Sequence, residues 1–266
     1  MVHNDSLLDI QEINVELSKL ANTLISDFVI FPFIDSTNTY LMTVAQTNAK
    51  SGSVCFAETQ TAGKGRRGRQ WISPQGQNIY GSFLWRFDNA QALNGLSLAI
   101  GVGVIRALNK LGIFNVNLKW PNDIYSDGKK LGGILIEVTT HSDNRVSAVI
   151  GLGLNVNLPK KMKEITQAYT DLNTITDIKL NRNQFVAQLL NSLLPIAATF
   201  EKQGFSAYLN EWREQDCLLG KCVNLFVGSQ KINGIVQGID ENGFLKLQHE
   251  DGTIQIFASG EVSFSA

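Results

Sequence analysis

The last 50 residues set the narrowest limit on the fold, because turn signals recur in them at very short intervals. Four dipeptides that favour tight turns separate short segments of alternating apolar and polar residues, at Gly228-Ser229, Asn233-Gly234, Asn242-Gly243 and Asp251-Gly252. Turns at this spacing leave room only for short antiparallel strands. We therefore predict that residues 217–266 form a small antiparallel β-barrel or meander, and that a domain boundary lies near residue 217.

The preceding residues carry longer apolar segments, with both helical and strand periodicity. We predict an N-terminal helical segment over residues 1–27, as one amphipathic helix, followed by a larger domain over residues 28–216. The predicted strands of this domain are 28–34, 53–57, 78–87, 116–120, 131–138 and 146–156, and its predicted helices are 93–111, 182–203 and 205–215. The last two strands are expected to pair in antiparallel fashion around a polar turn.

Composition and charge exclude several classes of protein. With 44% hydrophobic and 18% charged residues, the chain can bury a sizeable core. A formal net charge of -1 gives no overall attraction to nucleic acid, so any phosphate site must be local. The three cysteines do not suggest a disulfide framework, and neither a signal peptide nor an apolar run of roughly 20 residues is evident. These features predict a cytoplasmic protein without a membrane partner.

The most informative segment is the basic loop at residues 63–71, with the sequence GKGRRGRQW. Its glycines permit close approach of backbone N–H groups to a ligand, and its arginines can bind phosphate or carboxylate in bidentate fashion. The spacing is not that of a P-loop. Taken alone, the loop predicts either a site for an anion with several oxygens, a solvated surface loop, or a basic patch for RNA.

Two further segments suit a polar, flat ligand. Ser36-Thr37-Asn38 precedes a helical pattern, and its hydroxyl and amide groups can both donate and accept hydrogen bonds. Residues 151–157 (GLGLNVN) read as a strand with two glycines, which can form the floor under a ring. The alternatives are a simple helix N-cap for the first segment and a β-bulge or close strand packing for the second.

Residues 119–123 (KWPND) end a strand with strong turn chemistry, and Lys130 opens the next apolar strand beside Gly132-Gly133. A carboxylate at Asp123 can lie near a metal-bound polyphosphate, since Mg²⁺ binds hard oxygen ligands. A lysine at position 130 can stabilise charge on a phosphate and a carboxylate. The alternatives are an Asx turn at Asp123 and a solvated hairpin at Lys130.

Five segments, in this order and spacing, resemble biotin protein ligases. They are residues 35–38 (DSTN), 58–71 (ETQTAGKGRRGRQW), 119–123 (KWPND), 130–137 (KLGGILIE) and 151–155 (GLGLN). The resemblance extends over roughly residues 28–264. It implies an α+β fold, with a central mixed β-sheet and helices on one side of it, of the class II synthetase and biotin ligase type, followed by a C-terminal SH3-like β-barrel.

The activity implied by the resemblance has two steps. Biotin and Mg²⁺–ATP give biotinyl-5′-adenylate and pyrophosphate, and a lysine of an acceptor protein then attacks the adenylate and releases AMP. Biotin is thus a substrate, ATP and Mg²⁺ are bound only as a substrate complex, and no prosthetic group is expected. The implied acceptor is the biotin carboxyl carrier domain of acetyl-CoA carboxylase, and a homodimer is compatible with the resemblance.

The resemblance also implies roles for single residues. The biotin site would comprise Ser36, Thr37, Asn38, Gln60, Lys64, Gly65, Arg66, Trp71, Lys130, Gly151 and Gly153. The ATP site would comprise Arg66, Arg67, Arg69, Asn122, Asp123, Lys130 and Asn155, with Asp123 as a ligand of Mg²⁺. Lys130 and Arg66, which would contact both the biotin carboxylate and the phosphate, are the catalytic candidates.

The sequence departs from the family pattern at three points. Lys64 stands where arginine is usual, so the bidentate fork for phosphate is lost. Ser265 replaces a basic residue that often follows the C-terminal motif, which weakens the case for a nucleotide contact there. Only some 27 residues precede Phe28, too few for the winged helix-turn-helix of bifunctional ligase/repressors. We therefore expect a monofunctional ligase without direct DNA binding.

Two alternatives stay open at this point. A lipoate–protein ligase or octanoyltransferase has a related fold, although the basic loop and the KWPND segment favour biotin. A nucleic-acid-binding module using the arginine loop is the more distant alternative, because one local basic cluster on a chain of net charge -1 is a poor footprint for a duplex.

Overall fold

The computed structural model describes residues 7–47, 49–159 and 162–265. Its strands form two sheets, one of seven strands between residues 27 and 154 and one of five strands between residues 222 and 264. Helices pack on the larger sheet, so the α+β class expected from the sequence is confirmed. The domain boundary near residue 217 stays a prediction.

Helices and strands are interspersed as far as residue 214, and the described residues after it contain strands but no helix. The elements up to the last strand of the large sheet are α1 (Ile10–Glu16), α2 (Lys19–Leu24), β1 (Asp27–Phe31), α3 (Thr37–Gln46), β2 (Ser53–Ala57), β3 (Ile79–Phe87), α4 (Leu96–Lys110), β4 (Asn117–Lys119), β5 (Asp123–Ser126), β6 (Lys129–Thr140) and β7 (Val146–Leu154). The later elements are α5 (Leu172–Ile175), α6 (Arg182–Gln203), α7 (Leu209–Glu214), β8 (Cys222–Val227), β9 (Gln230–Ile239), β10 (Leu245–Gln248), β11 (Ile254–Phe257) and β12 (Glu261–Phe264).

The large sheet is mixed, with the strand order β1-β2-β3-β7-β6-β5-β4. Strands β1 and β2 run parallel, and the other neighbours run antiparallel. The predicted pairing of β6 with β7 is confirmed, in a register that runs from Gly132 opposite Leu154 to Thr140 opposite Val146. Strand β5 was not predicted, because the turn signal at residues 121–123 hides a strand that starts directly at Asp123.

Helices lie on both faces of the large sheet, whereas the resemblance implies helices on one side only. Adjacent residues of a strand point to opposite faces. Cys55 and Leu84 therefore pack against α3, while their neighbours Phe56 and Phe83 belong to the core that α4 and α6 share. The expectation of a single helical layer was wrong, and α3 brings its N-terminus to the second face of the sheet.

Helix α4 is the central element of the larger core. The segment Ala90–Lys110 is long and apolar enough to cross a membrane by length and composition, and 61% of its most apolar window is buried in the fold. A Cβ at Gly103 would lie only 2.7 Å from Ile196 and Leu193 of α6, so the two helices pack in close contact. The expectation that the sequence contains no such run was wrong, and this apolar segment serves here as a core helix.

The N-terminal segment forms two short helices rather than the single predicted helix, and residues 1–6 of that prediction lie outside the described residues. Leu17 has an extended backbone, and Ser18 begins α2 by accepting a hydrogen bond from Ala21 N at 3.1 Å. Asn191 of α6 fixes this break, because its side chain accepts from Ser18 N at 2.7 Å and donates to Glu16 O at 3.0 Å. The N-terminal segment is thereby attached to α6.

The five C-terminal strands form an antiparallel sheet in the order β11-β10-β9-β8-β12, which is the predicted small β domain of SH3-like type. One predicted turn was wrong, because Asn233-Gly234 lies inside strand β9. Gly234 is needed there for close packing, since a Cβ would come within 2.6 Å of the carbonyl oxygen of Gln248. Glycine is present at this position because the neighbouring strand lies so close, and not because the chain turns there.

Asp216 lies between the two sheets and carries a titration that the fold perturbs. Burial raises the pKa of its carboxyl group from the ordinary value of 3.8 to about 6, and the hydrogen bonds from Leu218 and Leu219 N–H oppose that shift only in part. The unfolded chain thus loses this proton above about pH 4, whereas the folded protein keeps it up to about pH 6. The contribution of Asp216 to stability falls as the pH rises through this window.

We therefore expect Asp216→Asn to gain stability relative to the wild type between pH 4 and pH 7, by about 2 kcal/mol, because asparagine cannot ionise. Urea unfolding of both proteins at pH 4 and pH 7 measures the difference. If the variant and the wild type differ in unfolding free energy by the same amount at pH 4 and at pH 7, Asp216 titrates normally in the folded protein.

Candidate active site

A cavity of about 360 Å³ lies where the large sheet, the basic loop and strand β12 meet. This volume falls within the range of small-molecule sites. The cavity brings together residues from all five sequence segments, namely Ser36, Thr37, Asn38, Gln60, Lys64, Gly65, Arg66, Arg67, Arg69, Trp71, Asn122, Asp123, Lys130, Gly151 and Gly153. Asn155 is the candidate that does not line it. Asn155 is buried behind the wall and donates to Thr170 O at 3.0 Å, so its contact with a nucleotide stays a prediction.

One end of the cavity is a group of buried polar side chains at the start of α3, which we call the head-group end (Ser36, Thr37, Asn38 and Gln60). The three α3 residues are at most 4% exposed. Ser36 is the N-cap of α3, for which the sequence offered either Asp35 or Ser36, and its hydroxyl accepts from Thr39 N. Thr37 N donates to the side-chain oxygen of Gln60 at 2.9 Å, which connects α3 to the segment after β2.

Two polar residues behind the head-group end were missed in the sequence. Ser82 of β3 donates to Asn38 Oδ1 at 2.6 Å and lies 2.7 Å from Thr37 Oγ1. Glu137 of β6 accepts from Asn38 Nδ2 at 2.9 Å. Each is a polar residue whose two neighbours in the strand are apolar, and this local break in the pattern is the signal that could have revealed them.

The two glycines of β7 make room for side chains that cross the sheet. A Cβ at Gly151 would lie 2.1 Å from Asn38 Oδ1, and one at Gly153 would lie 2.4 Å from the ring of Trp71. The predicted floor is therefore formed jointly by glycine backbone and by the two side chains that rest on it. Any larger residue at either position would displace a wall of the cavity.

The basic loop is folded against the rest of the protein. Within it, Gly65 N donates to Arg69 O at 2.7 Å, and Trp71 N donates to Gly63 O at 2.8 Å. Arg66 reaches Asn122 Oδ1 at 3.0 Å and Gly260 O at 3.4 Å. The loop therefore connects the KWPND segment to the C-terminal sheet.

Two cations of the loop share one carboxylate of β12. Arg67 and Arg69 both form ion pairs with Glu261. Burial would raise the pKa of Glu261, but the hydrogen bond from Arg69 and the charges of both arginines outweigh it and hold that pKa below its ordinary value. Burial lowers the pKa of Arg66, with help from the neighbouring charge of Arg67. These pairs are 35–56% exposed, so each contributes little to stability and an anionic ligand can replace the carboxylate.

A β-bulge aims Lys130 into the cavity. In the pairing of β5 with β6, Asp123 lies opposite Gly133 but Tyr125 lies opposite Lys130, so Leu131 is one residue in excess. Positions 130 and 133 of a regular strand face opposite sides, and the bulge places them on the same side. Lys130 Nζ then lies 2.7 Å from Asp123 Oδ1 and 5.6 Å from the centre of the Trp71 ring.

The remaining residues of the KWPND segment join the two sheets. Lys119 is 8% exposed and donates to Val262 O at 2.6 Å. Burial lowers the pKa of Lys119, although the charge of Asp123 acts in the opposite direction. Trp120 donates through Nε1 to Gly243 O at 3.0 Å. The segment is thus both a wall of the cavity and the contact between the sheets.

The residues present fit a metal ion that arrives with a nucleotide. Among the described residues, no group of three or more His, Cys, Asp or Glu side chains forms a cage for a metal. Mg²⁺ is often held by one or two carboxylates together with substrate phosphates, and Asp123 supplies one such carboxylate. One of its oxygens also contacts Lys130, and the role of Asp123 as a Mg²⁺ ligand stays a prediction.

The sequence matches two family models over most of the described structure. Residues 30–155 match the biotin/lipoate A/B protein ligase family, and residues 218–265 match the biotin protein ligase C-terminal domain. The bifunctional ligase/repressor BirA of Escherichia coli is 40% identical over 88% of this chain and 73% of its own length. The biotin–[acetyl-CoA-carboxylase] ligase of Mycobacterium tuberculosis is 32% identical over 85% of each chain.

Solved structures agree with these matches. The biotin protein ligase from Aquifex aeolicus in complex with biotin and ATP has a TM-score of 0.77 to this protein, at 31% identity, over 91% of this chain and 99% of that one. The fold and the site together are those of the biotin and lipoate class of protein ligases. Within that class, the match to the biotin protein ligase C-terminal domain and the identity to curated biotin ligases distinguish the chain from lipoate ligases. The chain belongs to the biotin protein ligase family.

Proposed function

We propose that the protein activates biotin with Mg²⁺–ATP as biotinyl-5′-adenylate and transfers the biotinyl group to a lysine of an acceptor protein. Biotin–protein ligase is its activity, of the kind named biotin–[acetyl-CoA-carboxylase] ligase in its relatives. The two-step course through the adenylate, the metal and the carrier domain as acceptor are the parts that we propose.

The observation that carries this proposal is that one cavity has two chemically different ends. The head-group end is neutral and polar, and suits the ureido ring of biotin. The other end is lined by Arg66, Arg67 and Arg69 and suits a polyphosphate. Lys130 belongs to the same cavity, beside Asp123, where a carboxylate and an α-phosphate must meet for adenylation.

The chemistry follows from these charges. In the first step, an oxygen of the biotin carboxylate attacks the α-phosphorus of ATP, the bond to the β-phosphate oxygen breaks, and pyrophosphate leaves. Lys130 and Arg66 stabilise the negative charge that develops around phosphorus. Asp123 Oδ1, 2.7 Å from Lys130 Nζ, holds the ammonium group of Lys130 at that point. A nucleotide-bound Mg²⁺ would add further charge neutralisation at the phosphates.

In the second step, the neutral amine of the acceptor lysine attacks the carbonyl carbon of the mixed anhydride. An amide bond forms, the bond to the phosphate oxygen breaks, AMP leaves, and the amine loses a proton. The anhydride reacts readily with water, so the cavity has to exclude water until the acceptor arrives. The basic loop is the part of the cavity wall that is held by weak, exposed ion pairs, which suits a movable cover.

We expect biotin and ATP together to protect the basic loop from trypsin, which cleaves after arginine. Cleavage at Arg67 and Arg69 should slow by roughly 10-fold or more at saturating ligands, because cleavage follows the population of the open loop. Trypsin also cleaves after lysine, and cleavage after the exposed Lys50, in the loop between α3 and β2, is the internal control and should not change. Equal slowing at both places, or none at the loop, would contradict a cover that closes on the ligands.

The direct test of the proposed function is ATP–pyrophosphate exchange with purified protein and Mg²⁺. Exchange should depend on biotin, and the labelled product should co-migrate with biotinyl-5′-adenylate. Lipoate should compete poorly with labelled biotin in a parallel binding assay. Exchange that proceeds equally well without biotin, or that lipoate supports better, would refute the proposed function.

A further inference from the structure

Glu137 does not line the cavity, yet it contacts two of the residues that do. Its side chain accepts from Asn38 Nδ2 at 2.9 Å, and its other oxygen lies 3.6 Å from Lys64 Nζ in the basic loop. The Lys64 pair is 44% and 29% exposed, so it contributes little. Asn38 is only 4% exposed, so its hydrogen bond to Glu137 is stronger than the ion pair with Lys64.

This bond fixes the direction of a whole chain of hydrogen bonds. A carboxylate can only accept, so the amide of Asn38 must turn its NH₂ group to Glu137 and its Oδ1 to Ser82. Ser82 then donates its one proton to Asn38 Oδ1 at 2.6 Å. Thr37 Oγ1, 2.7 Å from Ser82 Oγ, must therefore donate its one proton in that contact, which is shorter than its contact of 3.2 Å with Gln60 Oε1.

The result is a defined pattern at the head-group end. With its proton already used, Thr37 Oγ1 presents lone pairs to the cavity, and so does Asn38 Oδ1, which as a carbonyl oxygen can only accept. Ser36 Oγ accepts from Thr39 N and keeps its own proton to donate. Two acceptors and one donor complement a ureido ring, which has two N–H groups and one carbonyl.

We propose that Glu137 is a positioning residue that determines specificity, by forcing the head-group end to present acceptors to the ring N–H groups of biotin. Ser82 transmits this constraint from Asn38 to Thr37. The proposal rests on the proposed function, because biotin is the ligand whose ring supplies those N–H groups.

An exchange of acid and amide between the two positions tests the idea with little change of shape. Asn38→Asp places two carboxylates against each other and should weaken biotin binding, measured by calorimetry, by roughly 10- to 100-fold. In Asn38→Asp/Glu137→Gln, the new glutamine donates to the new carboxylate at position 38, which still accepts from Ser82. The double variant should therefore recover most of the lost affinity. Val138→Thr is the matched control on β6, because Val138 is exposed and should leave binding unchanged.

A ligand analogue gives a second readout that a merely structural role would not move. Replacing one ring N–H of biotin by oxygen presents an acceptor to the acceptors of the site. The wild type should bind this analogue weakly. In Glu137→Gln, the amide at position 137 can also donate, so the hydrogen bonds through Asn38, Ser82 and Thr37 can reverse their direction. The dissociation constant of the analogue divided by that of biotin should be about 5-fold or more lower in Glu137→Gln than in the wild type. This variant also decides the matter if Asn38→Asp fails to fold.

A double variant that binds biotin no better than Asn38→Asp overturns the proposal, as does an unchanged ratio in Glu137→Gln. Failure of the proposed function looks different, because the wild type itself would then show no biotin-dependent exchange. Thermal unfolding of each variant separates weak binding from loss of the fold.

Discussion

Lys130→Ala is expected to slow biotin-dependent ATP–pyrophosphate exchange by about 10²–10³-fold, the typical effect of removing one electrostatic group from a transition state. The side chain is only 13% exposed and is aimed at the cavity by a bulge, so other cations of the site cannot take its place. The loss should appear in the rate of adenylate formation at saturating substrates rather than in the Michaelis constant for biotin.

Lys129→Ala is the matched control for this prediction, since Lys129 is the adjacent residue of β6 and is exposed. It should exchange at the wild-type rate. Because Lys130→Ala also removes the partner of Asp123, unfolding by urea should be measured for both variants. Near-normal exchange in a folded Lys130→Ala protein would show that another residue stabilises the charge at phosphorus.

Arg182→Met is expected to destabilise the protein by about 3–5 kcal/mol, the cost of leaving a carboxylate buried without its partner. Arg182 Nη2 lies 2.8 Å from Glu58 Oε2, and the two side chains are 3% and 4% exposed. Arg182 also donates to Gly76 O and Asn78 O, which hold the far end of the segment that contains the basic loop. The variant should therefore lose both stability and order near the cavity.

Urea unfolding measures this effect, and Arg145→Met provides the comparison. Arg145 pairs with Asp143 on the surface, where removing one partner should leave the unfolding transition unchanged. Adding Glu58→Leu to Arg182→Met removes the orphaned charge and should restore part of the stability. An Arg182→Met protein as stable as the wild type would mean that water or another cation reaches Glu58.

The residues that line the cavity could be predicted from the sequence, because they come in compact segments of unusual composition. The basic loop, the KWPND segment and the start of α3 all interrupt the hydrophobic pattern, and their chemistry suits an anion or a polar ring. The resemblance supplied the roles, and the geometry places all but Asn155 around one cavity.

The residues behind the lining could not be predicted, because they act over long separations in sequence. Ser82 lies 44 residues from Asn38, and Arg182 lies 124 residues from Glu58. In the sequence, no local pattern connects either residue with its partner. The bulge that turns Lys130 inward is equally hidden, since strand periodicity alone would place it on the side opposite Gly133.

The contacts between the sheets have a consequence for genetics. Lys119 and Trp120 hold backbone oxygens of the C-terminal sheet, and Arg66 binds the carbonyl of Gly260. A mutation that distorts β12 would then reduce the rate of the reaction with ATP, although Val262 of β12 lies 143 positions after Lys119 in the sequence. Screens for impaired adenylation should accordingly recover alleles in the codons of β12 as well as in those of the basic loop.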